Sequence, residues 1–63
     1  MENTFRLKIT WKTGRVTESN YPDRNSIESF GRALRKNSAV VRCDYFEVYE
    51  IETFIAFWKR EDT

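Results

Sequence analysis

Histidine is missing from this sequence, and cysteine occurs once, at Cys43. One thiol cannot close an internal disulfide. Without histidine it also cannot complete a structural zinc site, which needs about four Cys or His ligands. The commonest general base near neutral pH is therefore absent, and Cys43 has no imidazole to activate it as a nucleophile. Gly14 and Gly31 are the only glycines, so no glycine-rich phosphate loop exists. The longest apolar run, residues 54–58, is far too short to span a bilayer. Charge of one sign is lacking too: 11 basic and 10 acidic side chains leave a formal charge of +1. Dedicated nucleic-acid binders carry a clear basic excess, and an acidic nucleic-acid mimic would lean the other way.

What is present is a short chain rich in aromatics. At 63 residues there is room for one core, and a chain of this size buries only about 60% of its unfolded surface. Small domains offset this with disulfides, metals or association. The first two are excluded here, which leaves dense packing or a partner. Aromatic residues make up 16% of the sequence and supply large buried areas from few positions. There is no repeat, no low-complexity stretch and no linker, so the chain reads as one domain over residues 1–63. Met1-Glu2-Asn3-Thr4 leads straight into an alternating segment with no apolar leader before it. With the single thiol, this sets the expectation of an intracellular, cytoplasmic protein.

Phe5, Leu7, Ile9 and Trp11 alternate with Arg6, Lys8, Thr10 and Lys12, the period of a strand with one buried face. Thr13-Gly14 reads as a tight turn into a weaker, polar strand over residues 15–21 that suits a sheet edge. A two-residue loop would set Val16 opposite Trp11 and bury Glu18 and Asn20. A three-residue loop with a bulge at Gly14 pairs Ile9 with Thr17 and Phe5 with Tyr21, buries no charge, and is the preferred register. Pro22 ends the strand. A helix is expected over residues 26–36, with Asn25 as N-cap, Glu28 completing a variant capping box, and Glu28–Arg32 paired at i, i+4. Ile27, Phe30, Gly31 and Leu34 form its apolar stripe. Gly31 costs about 1 kcal/mol against alanine inside a helix, a cost that a close approach to the sheet would explain. Arg35 and Lys36 fall in the expected last turn, and Asn37 suits a left-handed C-terminal position.

Residues 40–51 are strand-like, with Val, Tyr and Phe on both parities. Glu52-Thr53 is the expected turn into a last strand over residues 54–59. Phe54, Phe57 and Trp58 also fit helical spacing, but the short length and aromatic content favour a strand. The fold class that follows is α+β: a four-stranded antiparallel sheet (ββαββ) with one helix on one face.

One short helix cannot cover both parities of the second hairpin. Phe46, Val48, Ile55 and Phe57 compete with Tyr45, Tyr49, Phe54 and Trp58 for the covered side. The excess is expected on the open face as an apolar patch beyond what a monomer shows. The expected interface comprises Phe46, Val48, Ile55, Phe57 and Trp58, with a homodimer or another protein as partner. The opposing expectation is a bulge near Phe46 that returns the parity and packs every aromatic inside.

Catalysis is not expected, and neither is a cofactor, a metal or a small-molecule substrate. Cys43 reads as a small buried hydrophobe. Asp44, Glu47, Glu50 and Glu52 match no metal-ligand loop and read as a solvated strand rim. The alternative to a protein partner is nucleic acid, gripped by Arg24, Arg32, Arg35 and Lys36 around the helix while open-face aromatics stack bases. No motif singles out a protein family. The general character suits a small accessory or inhibitor protein of a phage or mobile element.

Overall fold

A computed structural model describes residues 4–60. Two hairpins flank one helix: β1 (Thr4–Trp11), β2 (Val16–Tyr21), α1 (Arg24–Leu34), β3 (Val40–Tyr49) and β4 (Ile51–Lys59). All strand pairings are antiparallel, in the order β2-β1-β3-β4, so β2 and β4 are the two edges. The ββαββ architecture read from the sequence is the one observed. Among the described residues no helix is long and apolar enough to cross a membrane.

The first hairpin adopts the bulged register. Phe5 faces Tyr21 and Ile9 faces Thr17, Trp11 and Arg15 close the loop with a 2.8 Å backbone hydrogen bond, and Gly14 holds φ 93°. That conformation costs glycine nothing and penalises residues with a Cβ.

The helix begins two residues earlier than expected. Asp23, not Asn25, is the N-cap, its Oδ1 accepting from the Ser26 amide at 2.8 Å. Glu28 consequently does not complete a capping box; its carboxylate takes the Arg24 guanidinium at 3.1 Å, in place of Arg32. The helix also ends earlier, at Leu34, with Arg35 as C-cap. Asn37 is not left-handed, because Glu50 is the only non-glycine with positive φ among the described residues. The chain instead leaves through i→i+3 hydrogen bonds onto Arg32, Ala33 and Leu34. The cation that meets the C-terminal carbonyls is Arg60, from beyond β4. It donates to Arg35 O at 2.8 Å, Asn37 O at 3.0 Å and Val40 O at 2.9 Å.

Helix and sheet meet at Gly31. Leu7, Ile9, Ile27, Val40, Cys43, Tyr45 and Trp58 form the buried core. Gly31 lies against the Tyr45 ring, where an added Cβ would overlap the hydroxyl and stand 2.6 Å from Cζ. Trp58 Nε1 donates to the Gly31 carbonyl at 3.1 Å. The glycine is thus the close approach that its position in the stripe implied.

Two irregularities set the side-chain faces. Between Thr10 and Trp11 the pairing with β3 slips by one residue, so that Trp11 faces Val40 and Val40 is fully buried. Between Tyr45 and Phe46 it slips again: Ala56 faces Tyr45 and Phe54 faces Phe46, leaving Ile55 as an extra residue in β4. The second turn is centred on Glu50, not Glu52-Thr53, with φ 67° at Glu50.

Two stability changes follow. Gly31→Ala gains helix propensity but forces the methyl into the Tyr45 ring, and overpacking prevails: unfolding free energy falls by about 1–3 kcal/mol, and Tyr45→Phe in the same chain recovers part of it. Glu50→Gly relieves the left-handed backbone and raises stability by about 0.5–1 kcal/mol. Urea denaturation of each variant against the parent measures both.

Candidate interaction surface

The registers assign every strand residue a side of the sheet. Leu7, Tyr45 and Ala56 share a row under the helix, as do Ile9, Cys43 and Trp58. The rows between them face away from the helix: Arg6 with Phe46 and Phe54, and Lys8 with Asp44 and Phe57. The β4 bulge decides this. In a regular strand Phe54 and Phe57, three residues apart, would point to opposite sides. One extra residue between them puts both on the open face.

Phe46, Phe54 and Phe57 form a connected aromatic row there. The ring centroids are 5.6 Å apart for Phe46–Phe54, in an edge-on arrangement, and 6.0 Å for Phe54–Phe57. Phe54 and Phe57 are half exposed, at 50% and 52%. Val48, opposite Glu52, extends the patch. Tyr49 and Ile51, paired at the hairpin tip past the last β1 pairing described, Thr4 with Val48, are exposed too, but alternation puts them on the other side of the sheet from Val48 and the aromatic row.

Charges frame the patch. Lys8 Nζ stands 5.3 Å from the Phe46 centroid and the Arg42 guanidinium 4.5 Å from that of Phe57, attracted by the ring faces. Arg42 also holds Asp44, at 2.9 Å. Arg6 reaches Glu52 at 2.6 Å and Asn20 at 3.1 Å, and both Arg6 and Lys8 lie 3.8 Å from Glu18. The open face therefore has two halves. Over β2 and β1 it is a neutralised lattice of charges; over β3 and β4 it is aromatic.

Of the interface residues named from sequence, Phe46, Val48 and Phe57 lie on the open face. Ile55 and Trp58 do not: the bulge turns Ile55 to the covered side, and Trp58 is buried with its indole N–H on Gly31. Phe54 takes their place, a residue the parity argument had assigned to the opposite set. A bulge beside Phe46 does exist, but it carries aromatics outward instead of returning them all to the core.

The helix cations lie on the other side of the sheet. Arg24, Arg32 and Arg35 flank a shallow groove of about 480 Å³ whose floor is Ile55, Ala56 and Trp58. Arg24 is engaged by Glu28, and Arg35 lies over the Trp58 ring at 5.1 Å. Lys36 follows in the exposed turn after the helix. Phe57 also borders this groove at the β4 edge, but its pairing with Asp44 places its side chain on the open face, and Phe46 and Phe54 do not line the groove.

Cys43 is fully buried in the core. Burial, with the negative charge of Asp44 adding to it, pushes its thiol up to about 11 from 9.0. Burial also raises the Tyr45 hydroxyl. A nucleophilic thiol needs the opposite shift. Because the folded protein holds the Cys43 proton more tightly than the unfolded chain, this contribution to stability is fully present below about pH 9. It is lost as pH rises from about 9 to about 11. Urea midpoints should fall through that window, with a shallower fall for Cys43→Ala, and Cys43 should resist a thiol reagent at neutral pH until the chain is unfolded.

Comparison with protein-family models, with curated proteins and with solved structures gives no match to this chain.

Proposed function

We propose that the protein is a protein-interaction module whose contact surface is the open face of the second hairpin, centred on Phe46, Phe54 and Phe57. The observation that carries this reading is the contiguity of the three rings on a face that no helix covers. A small domain gains stability by burying aromatics, and the same residue types dominate binding hot spots once a partner excludes water from them. Leaving two phenylalanines half exposed beside Phe46 sacrifices core that a 63-residue chain has little of. A contact partner recovers that burial.

Nucleic acid as the partner would require phosphate-gripping cations beside a stacking surface. Arg24, Arg32, Arg35 and Lys36 accompany the helix, whereas the stacking rings face away from it. The cations that do border the rings are neutralised by Glu18, Asp44 and Glu52. This separation favours a protein partner.

Phe46→Glu and Phe57→Glu test the reading. Both side chains are on the open face, so the variants should keep the parent's circular dichroism and unfold within about 1 kcal/mol of it, while losing at least about tenfold in affinity for the protein partner. Reversal of Arg32, Arg35 and Lys36 should leave that affinity unchanged. Undiminished binding by both glutamate variants refutes the proposal. A salt-sensitive shift with RNA or DNA that the helix reversal abolishes would put nucleic acid in its place.

A further inference from the structure

The edge strand β4 is self-complementary, and we infer that it takes a second copy of the chain, joined β4 to β4 in one antiparallel register; the inference goes beyond the open-face reading above, since it occupies the edge of the sheet and leaves that face uncovered. β4 runs from Ile51 to Lys59 at the edge of the sheet, so one side of its backbone meets no other strand among the described residues. Long apolar edges of this kind are templates for another strand unless charge or proline blocks them, and β4 has no proline and carries charge only at Glu52 and Lys59.

The two charges and the bulge define the register. Two copies of a strand related by a two-fold axis perpendicular to the sheet pair residue i with residue j of the partner and j with i. Opposed residues must lie on the same face. In a regular strand this requires i and j to differ by an even number. Glu52 and Lys59 differ by an odd number, as do Phe54 and Phe57, and a regular strand would forbid opposing them. The extra residue at Ile55 removes the conflict. Glu52 pairs with Val48, Phe54 with Phe46, Phe57 with Asp44 and Lys59 with Arg42, and those β3 residues all belong to the open face. The four open-face residues of β4 are thus arranged symmetrically about the bulge.

Pairing about that centre sets Glu52 against the second copy's Lys59, Phe54 against its Phe57, and Lys59 against its Glu52. On the covered side Ile55 meets Ala56, large against small. Lys59 makes no ion pair among the described residues and stands opposite Arg42, which Asp44 holds, so the second copy's Glu52, shared with its own Arg6, supplies Lys59 with a counter-charge. The result is an eight-stranded sheet with both helices on one side and, on the other, four phenylalanines opposed across the seam, Phe54 and Phe57 of each copy, with Phe46 behind them on β3. This symmetry depends on one inserted residue, and the same residue builds the aromatic row.

Charge reversal tests the register. In sedimentation at low salt the parent should dimerise, and Glu52→Lys and Lys59→Glu should each weaken dimerisation by about tenfold, since each sets like charges together twice. An equimolar mixture of the two variants should recover a dimer close to the parent's, because both seam contacts between positions 52 and 59 then join opposite charges again. Circular dichroism of each variant confirms that it is folded. Isotope-filtered NMR on mixed labelled and unlabelled parent should show contacts between Phe54 and the second copy's Phe57. A parent that stays monomeric up to millimolar concentration overturns the inference. So does a dimer whose single variants are not rescued by mixing or that lacks the Phe54–Phe57 contact. Phe46→Glu separates the two readings: Phe46 is on β3, away from the seam, so loss of partner binding in this variant upholds the open-face reading even where edge pairing fails.

Discussion

The helix is held on the sheet by one close approach. At Gly31 the backbone descends onto the Tyr45 ring, and the carbonyl of the same residue receives the Trp58 indole N–H. Tyr45 is on β3 and Trp58 on β4, so a single helical position ties α1 to the second hairpin. Ile27 and Leu34 pack on either side of that point along the stripe, and Arg60 fastens the helix end to the start of β3. With only 11 residues in the helix, this seat determines how much of the sheet is covered. Tyr45, Cys43 and Trp58 come under it; the rows between them are left to solvent.

That limit explains why the second hairpin carries its aromatics as it does. Burying Trp58 against Gly31 commits Phe57 to the open side, as alternation requires. Without a bulge Phe54 would have joined Trp58 on the covered side, at the margin of a short helix. With it, Phe54 stacks on Phe46 and Phe57, and Ile55 completes the core's edge. The irregularity at Val40 works in the opposite sense, turning one more aliphatic inward beside Trp11. Two inserted residues thus sort a sequence with apolar residues on both parities into one core and one surface.

Much of the fold was legible in the sequence because it is encoded locally. The alternation of Phe5, Leu7, Ile9 and Trp11 reports a buried face within a few residues, and Gly14 with the polar pattern of β2 pointed to the register of the first hairpin. Gly31 advertised its close contact by being a poor helix residue in the middle of an apolar stripe. The helix N-terminus was misplaced because Asp23 and Asn25 are equivalent capping residues and either leaves the stripe unchanged. The candidate surface was legible as an excess of aromatics, but not in its membership. Which of Phe54 and Trp58 faces out depends on pairing across β3, and no local pattern around Ile55 announces the insertion. Arg60 as the helix's C-terminal cation was equally hidden, since its partners lie at Arg35 and Asn37, more than twenty positions away.

The two edges of the sheet are chemically unlike. β2 is six residues long, ends at Pro22, and turns Glu18 and Asn20 outward where they engage Arg6 and Lys8. β4 is longer, aromatic and without proline. A sheet that is receptive along both edges can add copies without end and grow into a fibre; one that is receptive along a single edge consumes that edge in its first encounter. If β4 takes a second copy as inferred above, the asymmetry between β2 and β4 would set a stoichiometric ceiling, with assembly by strand addition stopping at one event per chain.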